Sequence, residues 1–272
     1  MTKRNIVMAV GVIAIFAVLG LVFAAGKERK GSVRESQSSL SAQQLYEQAV
    51  KLQGANEVLG ARDAYQELVA NYPDFKEINL AQKNLEDLNI KIIFSAIQTP
   101  GTATHEIAPG DSLIKIARKY GTTVELLKRS NGLNNDIIRA GQKLRVWKGS
   151  FSVFVDKSQN ILILKSDDEV VKVYTVATGA NNITPAGTFK IANKLVNPVW
   201  FKSGAIIPPE SPANVLGSRW MGFDIPGYGI HGTTEPDKLG QQVTAGCIRM
   251  HNSDAEELFD ILPEGSTVTI VD

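Results

Sequence analysis

Cys247, the single cysteine of the chain, sits in Thr244-Ala245-Gly246-Cys247-Ile248-Arg249-Met250, downstream of Ile230-His231-Gly232-Thr233. A free thiol titrates near ~8.5, and an imidazole within hydrogen-bond reach is the usual device for raising the small thiolate fraction present at neutral pH. The pair reads as nucleophile and base, with a thiol pKa expected below ~8.5. Gly246 removes a side chain where an acyl group must approach and lets backbone N–H groups converge on an oxyanion. Arg249 adds a fixed charge that can grip a carboxylate at two points. Each residue alone has an ordinary explanation: a lone cysteine is usually a buried hydrophobe, His231 a turn histidine, Arg249 a solvated charge. The case for chemistry rests on the set.

Composition bounds the alternatives. A length of 272 residues allows two or three domains, and 43% hydrophobic with 21% charged residues is ordinary for folded protein. A net charge of +1 argues against nucleic-acid binding. One cysteine excludes an internal disulfide and Cys-rich zinc patterns, and His105, His231 and His251 show no metal-ligand spacing, so neither metal nor cofactor is expected. His251, just before a helix start, reads as an exposed loop residue.

The elements that must position this chemistry follow a long approach. Lys3 and Arg4 precede an uncharged run from Ile6 to Ala25, long enough as a helix to span ~30 Å of hydrocarbon. Residues 1–30 are expected to be an uncleaved membrane anchor, with a signal peptide cut near Val22-Phe23-Ala24 as the alternative. Residues 31–41, rich in Ser, Gln, Arg and Glu, read as a flexible tether. Helical periodicity then runs over 42–98, through Leu45, Ala49 and Leu52, then Ala61, Ala64, Tyr65 and Leu68, then Ala81, Leu85 and Leu88. Thr99-Pro100-Gly101 is a boundary. Beyond it, Asp111 or Ser112 caps a helix carrying Leu113, Ile116, Ala117 and Tyr120, Gly121 ends it, and Thr122 or Thr123 caps another. Lys143 to Trp147 reads as a strand. The remainder is strand-rich: a hairpin of Phe151–Val155 with Ile161–Leu164, then Val170–Thr178, Thr188–Ala192 and Thr267–Val271. Ser253-Asp254-Ala255-Glu256 has capping-box spacing for one helix through Leu262.

Three stretches resemble known families. Ala61, Ala64, Tyr65, Leu68 and Tyr72-Pro73 are similar to part of a tetratricopeptide repeat, which implies a spacer or a surface for a protein partner. Pro109-Gly110-Asp111-Ser112-Leu113, Ile116-Ala117, Tyr120-Gly121-Thr122-Thr123 and Ala140-Gly141-Gln142-Lys143-Leu144 resemble a LysM module over 102–148. That implies a βααβ domain holding N-acetylglucosamine-containing glycan. The His231 and Cys247 segments, with Thr184-Pro185-Ala186-Gly187-Thr188-Phe189, Ile206-Ile207-Pro208-Pro209 and Ala213-Asn214 through Trp220, resemble the YkuD-type L,D-transpeptidase catalytic domain over 150–272. The family often has histidine at position 245 and serine at 244, where this chain has Ala245 and Thr244.

The resemblance implies a multidomain chain: a transmembrane helix, a short all-α region, a LysM module and a mostly-β catalytic domain in a bacterial cell envelope. It implies that Cys247 attacks a peptidoglycan stem peptide, releases D-alanine and leaves a thioester. His231 is then the base, oriented by the Gly232 carbonyl, with Gly246, Arg249, Thr244 and Thr233 meeting substrate. The acceptor is an amine that completes a cross-link or attaches a protein. Alternatives are water, giving a carboxypeptidase or hydrolase, and a non-catalytic wall anchor.

Overall fold

The computed structural model describes residues 40–202 and 204–272. The expected membrane segment, 1–30, and the tether up to residue 39 lie outside the described residues. Among those described, no helix is long and apolar enough to cross a membrane.

The chain forms two compact units, the first ending at Asn89. Its helices are α1 (Ala42–Gly54), α2 (Val58–Asn71) and the larger part of α3 (Ile78–Ile93). Ser41 and Gln44 close a capping box at the start of α1, satisfying backbone N–H groups that the helix leaves open. Leu45, Ala49, Ala61, Leu68 and Ala81 are buried around Tyr65. The Tyr65 hydroxyl donates to Gln53 and accepts from Asn84, so its polar tip is satisfied in a dry interior.

The second unit begins at Ile90. Strands β1 (Thr102–Glu106) and β2 (Lys143–Trp147) pair antiparallel and enclose helices α4 (Leu113–Tyr120) and α5 (Val124–Ser130). Ser112 accepts the Lys115 N–H, Gly121 ends α4 in the left-handed conformation at φ 62°, and Thr123 accepts the Leu126 N–H. Ile107, Leu113, Ile116, Leu127, Leu144 and Val146 fill this βααβ module.

Arg145, on β2, is 4% exposed, and its guanidinium donates to the carbonyls of Ile92, Ile93 and Ile97. These include the last carbonyls of α3, which have no partner within the helix. Burial pulls the Arg145 pKa down to about 10, so it stays charged at neutral pH.

The rest of the chain builds a strand-rich domain: β3 (Phe151–Asp156), β4 (Ile161–Ser166), β5 (Glu169–Thr175), β6 (Thr178–Gly179), β7 (Gly187–Val196), β8 (Trp200–Lys202), β9 (Ala205–Ile207), β10 (Arg219–Phe223), β11 (Gly229–His231), β12 (Gln242–Thr244), β13 (Ile248–Arg249), helix α6 (Asn252–Ile261) and β14 (Thr267–Val271). Eight of them form one sheet in the order β13-β11-β10-β7-β14-β3-β4-β5, parallel at β13-β11 and β14-β3 and antiparallel elsewhere. Val153, Val155, Leu162, Leu164, Val268 and Ile270 alternate onto a buried face with Leu258 and Phe259 of α6.

The module and the sheet domain share this core. Leu126 of α5 and Ile90 and Ile93 of α3 are buried in it, Trp147 stacks on Phe151, and Arg129 and Thr123 bind Asp260 at the end of α6. Gly149 joins them with no room for a side chain, since a Cβ there would lie 2.8 Å from Ser166 Oγ and Asp167 Oδ2.

Helix α6 departs from expectation at its start. Ser253 is not its cap: the helix already includes Asn252 and is preceded by His251, which makes no side-chain cap. The Asn252 side chain is engaged instead by a loop of the site, and the helix begins where that engagement fixes it.

Candidate active site

His231 lies on β11, the second strand from one end of the eight-stranded sheet. In β11, His231 pairs with Trp220 of β10 on one side and with Arg249 of β13 on the other, and the Trp220 ring stacks on the imidazole. The imidazole Nδ1 lies 2.7 Å from the Gly232 carbonyl. A carbonyl can only accept, so Nδ1 carries the proton and Nε2 keeps its lone pair for general-base work. Burial pushes the His231 pKa down to about 4, with Arg249 acting in the same direction and the Gly232 and Leu216 carbonyls opposing it. The imidazole is therefore neutral at pH 7.

Gly232 is required by a close approach: a Cβ there would sit 2.0 Å from Asn252 Oδ1. Asn252 Oδ1 accepts from the N–H groups of Ser218 and Thr233, and its Nδ2 donates to the Thr233 carbonyl. One side chain from α6 thereby fixes the turn that carries the orienting carbonyl.

Cys247 sits on a loop between β12 and β13. The Thr244 hydroxyl donates to the Cys247 carbonyl at 2.6 Å and accepts the Gly246 N–H at 3.1 Å. Gly246 has φ +123°, and a Cβ there would lie 2.7 Å from the Tyr228 ring. Thr184 donates to the Gly246 carbonyl at 2.9 Å. The Cys247 N–H meets no acceptor among the described residues.

Cys247 is half-buried and its Sγ hydrogen-bonds the Gly227 carbonyl at 3.4 Å, not the imidazole. Burial raises the thiol pKa above the ordinary cysteine value, while the Gly229 N–H and Arg249 pull the other way. The expected low thiol pKa is thus corrected: burial raises the thiol and lowers the imidazole, so both rest neutral, because desolvation penalises each charged form.

The other predicted site residues take different places. Arg249 binds Glu235 at 2.7 Å, and Glu235 also pairs with Lys238, so the charge expected to grip substrate is already matched. Its buried Nε has no partner. The Thr233 hydroxyl accepts the Glu235 N–H, and Thr244 is committed inside its loop; both shape backbone where contact with substrate was expected. The Gly246 N–H is occupied by Thr244, whereas the Cys247 N–H is open. Among the described residues, no cluster of His, Cys, Asp and Glu could hold a metal ion.

Comparison with known proteins places this arrangement. The model of the L,D-transpeptidase catalytic domain, YkuD, matches residues 150–270, and that of the LysM domain matches 105–147. The chain is 44% identical over 126 residues to a putative L,D-transpeptidase, YqjB, of Bacillus subtilis, covering 44% of this chain and 70% of that protein. It is 34% identical over 175 residues to the putative L,D-transpeptidase YkuD of Bacillus licheniformis, covering 61% and 97% respectively. The chain belongs to the L,D-transpeptidase family. The match to cell wall-binding protein YocH of Bacillus subtilis is 41% identity over 76 residues, 28% of this chain and 26% of that one.

The chain is therefore an L,D-transpeptidase with a LysM domain preceding the catalytic one. Sequence reasoning gave no role at this site to Glu235, Thr184 or Tyr228, and did not foresee which loop Asn252 holds. Glu235 had a local signal, an acid three residues before Lys238 in the His231 to Cys247 interval. The others act across the fold, and spacing alone carries no trace of them.

Proposed function

We propose that Cys247 is the nucleophile and His231 the base of an L,D-transpeptidase acting on peptidoglycan stem peptides. As Sγ attacks the carbonyl before a terminal D-alanine, His231 Nε2 takes the thiol proton and returns it to the departing amine, leaving a thioester. An incoming amine gives its proton to the same nitrogen, attacks the thioester and restores the thiol. The observation that supports this most directly is the Gly232 carbonyl at His231 Nδ1, which holds the ring in the tautomer a base needs. The neutral resting pair fits proton transfer during attack. Arg249 lowers the thiol pKa and opposes imidazolium, so its field favours negative charge at Cys247 whether or not it also meets a substrate carboxylate.

The LysM domain supports binding to the glycan strand that carries the stem. The twenty-residue apolar run at 6–25 supports a membrane anchor that leaves both domains outside the cytoplasm, and the helices of the first unit suit a spacer or partner surface.

Incubating the full chain with a soluble tetrapeptide donor and reading intact mass tests the assignment. The wild type should gain the donor less D-alanine, and Cys247→Ala should gain nothing. A Cys247→Ala protein that still turns over donor overturns it. Product masses with an amine present separate transfer from hydrolysis.

A further inference from the structure

Next to the nucleophile loop lies a buried polar chain that the reaction scheme does not use. Lys157 is 3% exposed and Thr184 is 1% exposed. Lys157 Nζ donates to the Thr184 carbonyl at 2.8 Å and pairs with Asp272 at 2.7 Å, and Asn182 also binds that carboxylate. A charge this deeply buried is retained only where its donors are met, and here one of them is spent on a single backbone carbonyl.

The Thr184 hydroxyl has only one proton to give. The Gly179 N–H donates to it at 2.7 Å and can do nothing else, so the Thr184 proton is committed to the Gly246 carbonyl at 2.9 Å. Close packing holds the hydroxyl in place, since a Cβ on Gly179 would lie 2.7 Å from the Thr184 nitrogen. The peptide that follows Gly246 is planar and trans, so its C=O and N–H point in opposite directions. Fixing the Gly246 carbonyl on Thr184 therefore turns the Cys247 N–H away from Thr184, and that N–H has no acceptor among the described residues. A buried cation, a hydroxyl and a peptide plane thus end on one open donor at the nucleophile.

We propose that Thr184, held by the buried Lys157, is a positioning residue that aims the Cys247 N–H at the oxygen of the carbonyl under attack. This rests on Cys247 being the nucleophile. Thr184 touches no substrate and acts only through the Gly246–Cys247 peptide. An oxyanion donor is worth most when it is already oriented before charge develops, and loss of one typically costs about 10²–10³ in rate. Misaiming it forfeits part of that.

The test compares two reactions of one sulfur in the full chain. Acylation by a tetrapeptide donor builds an oxyanion, whereas alkylation by iodoacetamide displaces iodide and builds none. In Thr184→Val, the first should slow about tenfold to hundredfold with little change in donor KM, and the second should keep its wild-type rate. Thr184→Ser, which keeps the hydroxyl, should recover most of the loss. Lys157→Met should show the same selective loss, about three- to tenfold, and answers the question if Thr184→Val does not fold. Equal losses in both reactions overturn the proposal and make Thr184 a support for the thiol itself. No loss in either also overturns it. A wild-type chain that alkylates but never acylates would sink the functional assignment instead, a result the alkylation ratio cannot mimic.

Discussion

Two arginines, the buried Arg145 beside the LysM core and the half-buried Arg249 near the thiol, are treated in opposite ways. Arg145 spends its guanidinium on three backbone carbonyls of α3 and the segment after it. Arg249 meets one carboxylate and leaves Nε dry and unpaired. Full satisfaction by backbone ties a charge to architecture. Incomplete satisfaction beside a thiol leaves it free to act on charges that develop there, and such sites are where perturbed groups tend to collect.

The contrast breaks most easily at Arg145. Arg145→Met takes a donor from the Ile93 and Ile97 carbonyls, Ile92 keeping Ser95, and the full chain should lose about 3 kcal/mol in urea unfolding while the activity of the folded fraction is unchanged. An equal loss of activity in folded protein would erase the distinction.

His231 supplies the next effect in size. Its folded pKa of about 4 lies below an ordinary histidine's, so between that value and ~6.5 the unfolded chain binds more protons. The contribution is fully present above ~6.5 and is lost as pH falls toward 4, approaching ~3 kcal/mol. Denaturation curves from pH 7 to 4 should show this slope in the wild type and lose it in His231→Gln. The acid limb of acylation should fall near pH 4. A limb near ~6.5 would mean that burial does not govern the imidazole.

Smaller effects belong to the site arginine. Arg249→Gln should slow acylation about tenfold with little loss of stability, and should move the acid limb upward by removing a charge that opposes imidazolium. Glu235→Gln should do least: with its partner charge removed, Arg249 acts more strongly on the thiol, and alkylation at pH 8 should rise about two- to threefold. A fall would show that Glu235 orients Arg249 more than it masks it.

What could be read in the sequence follows the range of the forces involved. Ser112, Gly121 and Thr123 act within a few residues, and the caps they form appear as expected. The β3-β4 hairpin is equally local. Cys247 and His231 stood out as candidates because Gly246, which takes a positive φ, and Gly232, which a neighbouring side chain approaches closely, lie beside them. By contrast, the hold of Asn252 on the His231 turn depends on α6 packing against β10 and β11. Lys157 and Thr184 are separated by 27 positions, and the bond between them exists only once the sheet has closed. The Thr233 and Thr244 hydroxyls bond within their own loops, pairings that the sequence does not show because a hydroxyl's type does not reveal which way its proton points.

Gly149 carries a consequence for how the enzyme meets its polymer. With no space for a side chain at the junction, and with Leu126, Trp147 and Asp260 packed across it, the gap from the LysM hairpin to the thiol is fixed by the fold. A stiff coupler raises effective concentration only for targets whose own spacing matches, and it contributes nothing for the rest. The pair of domains then works as a caliper, so that stretching or slackening of the wall mesh would by itself decide which stem peptides come within reach.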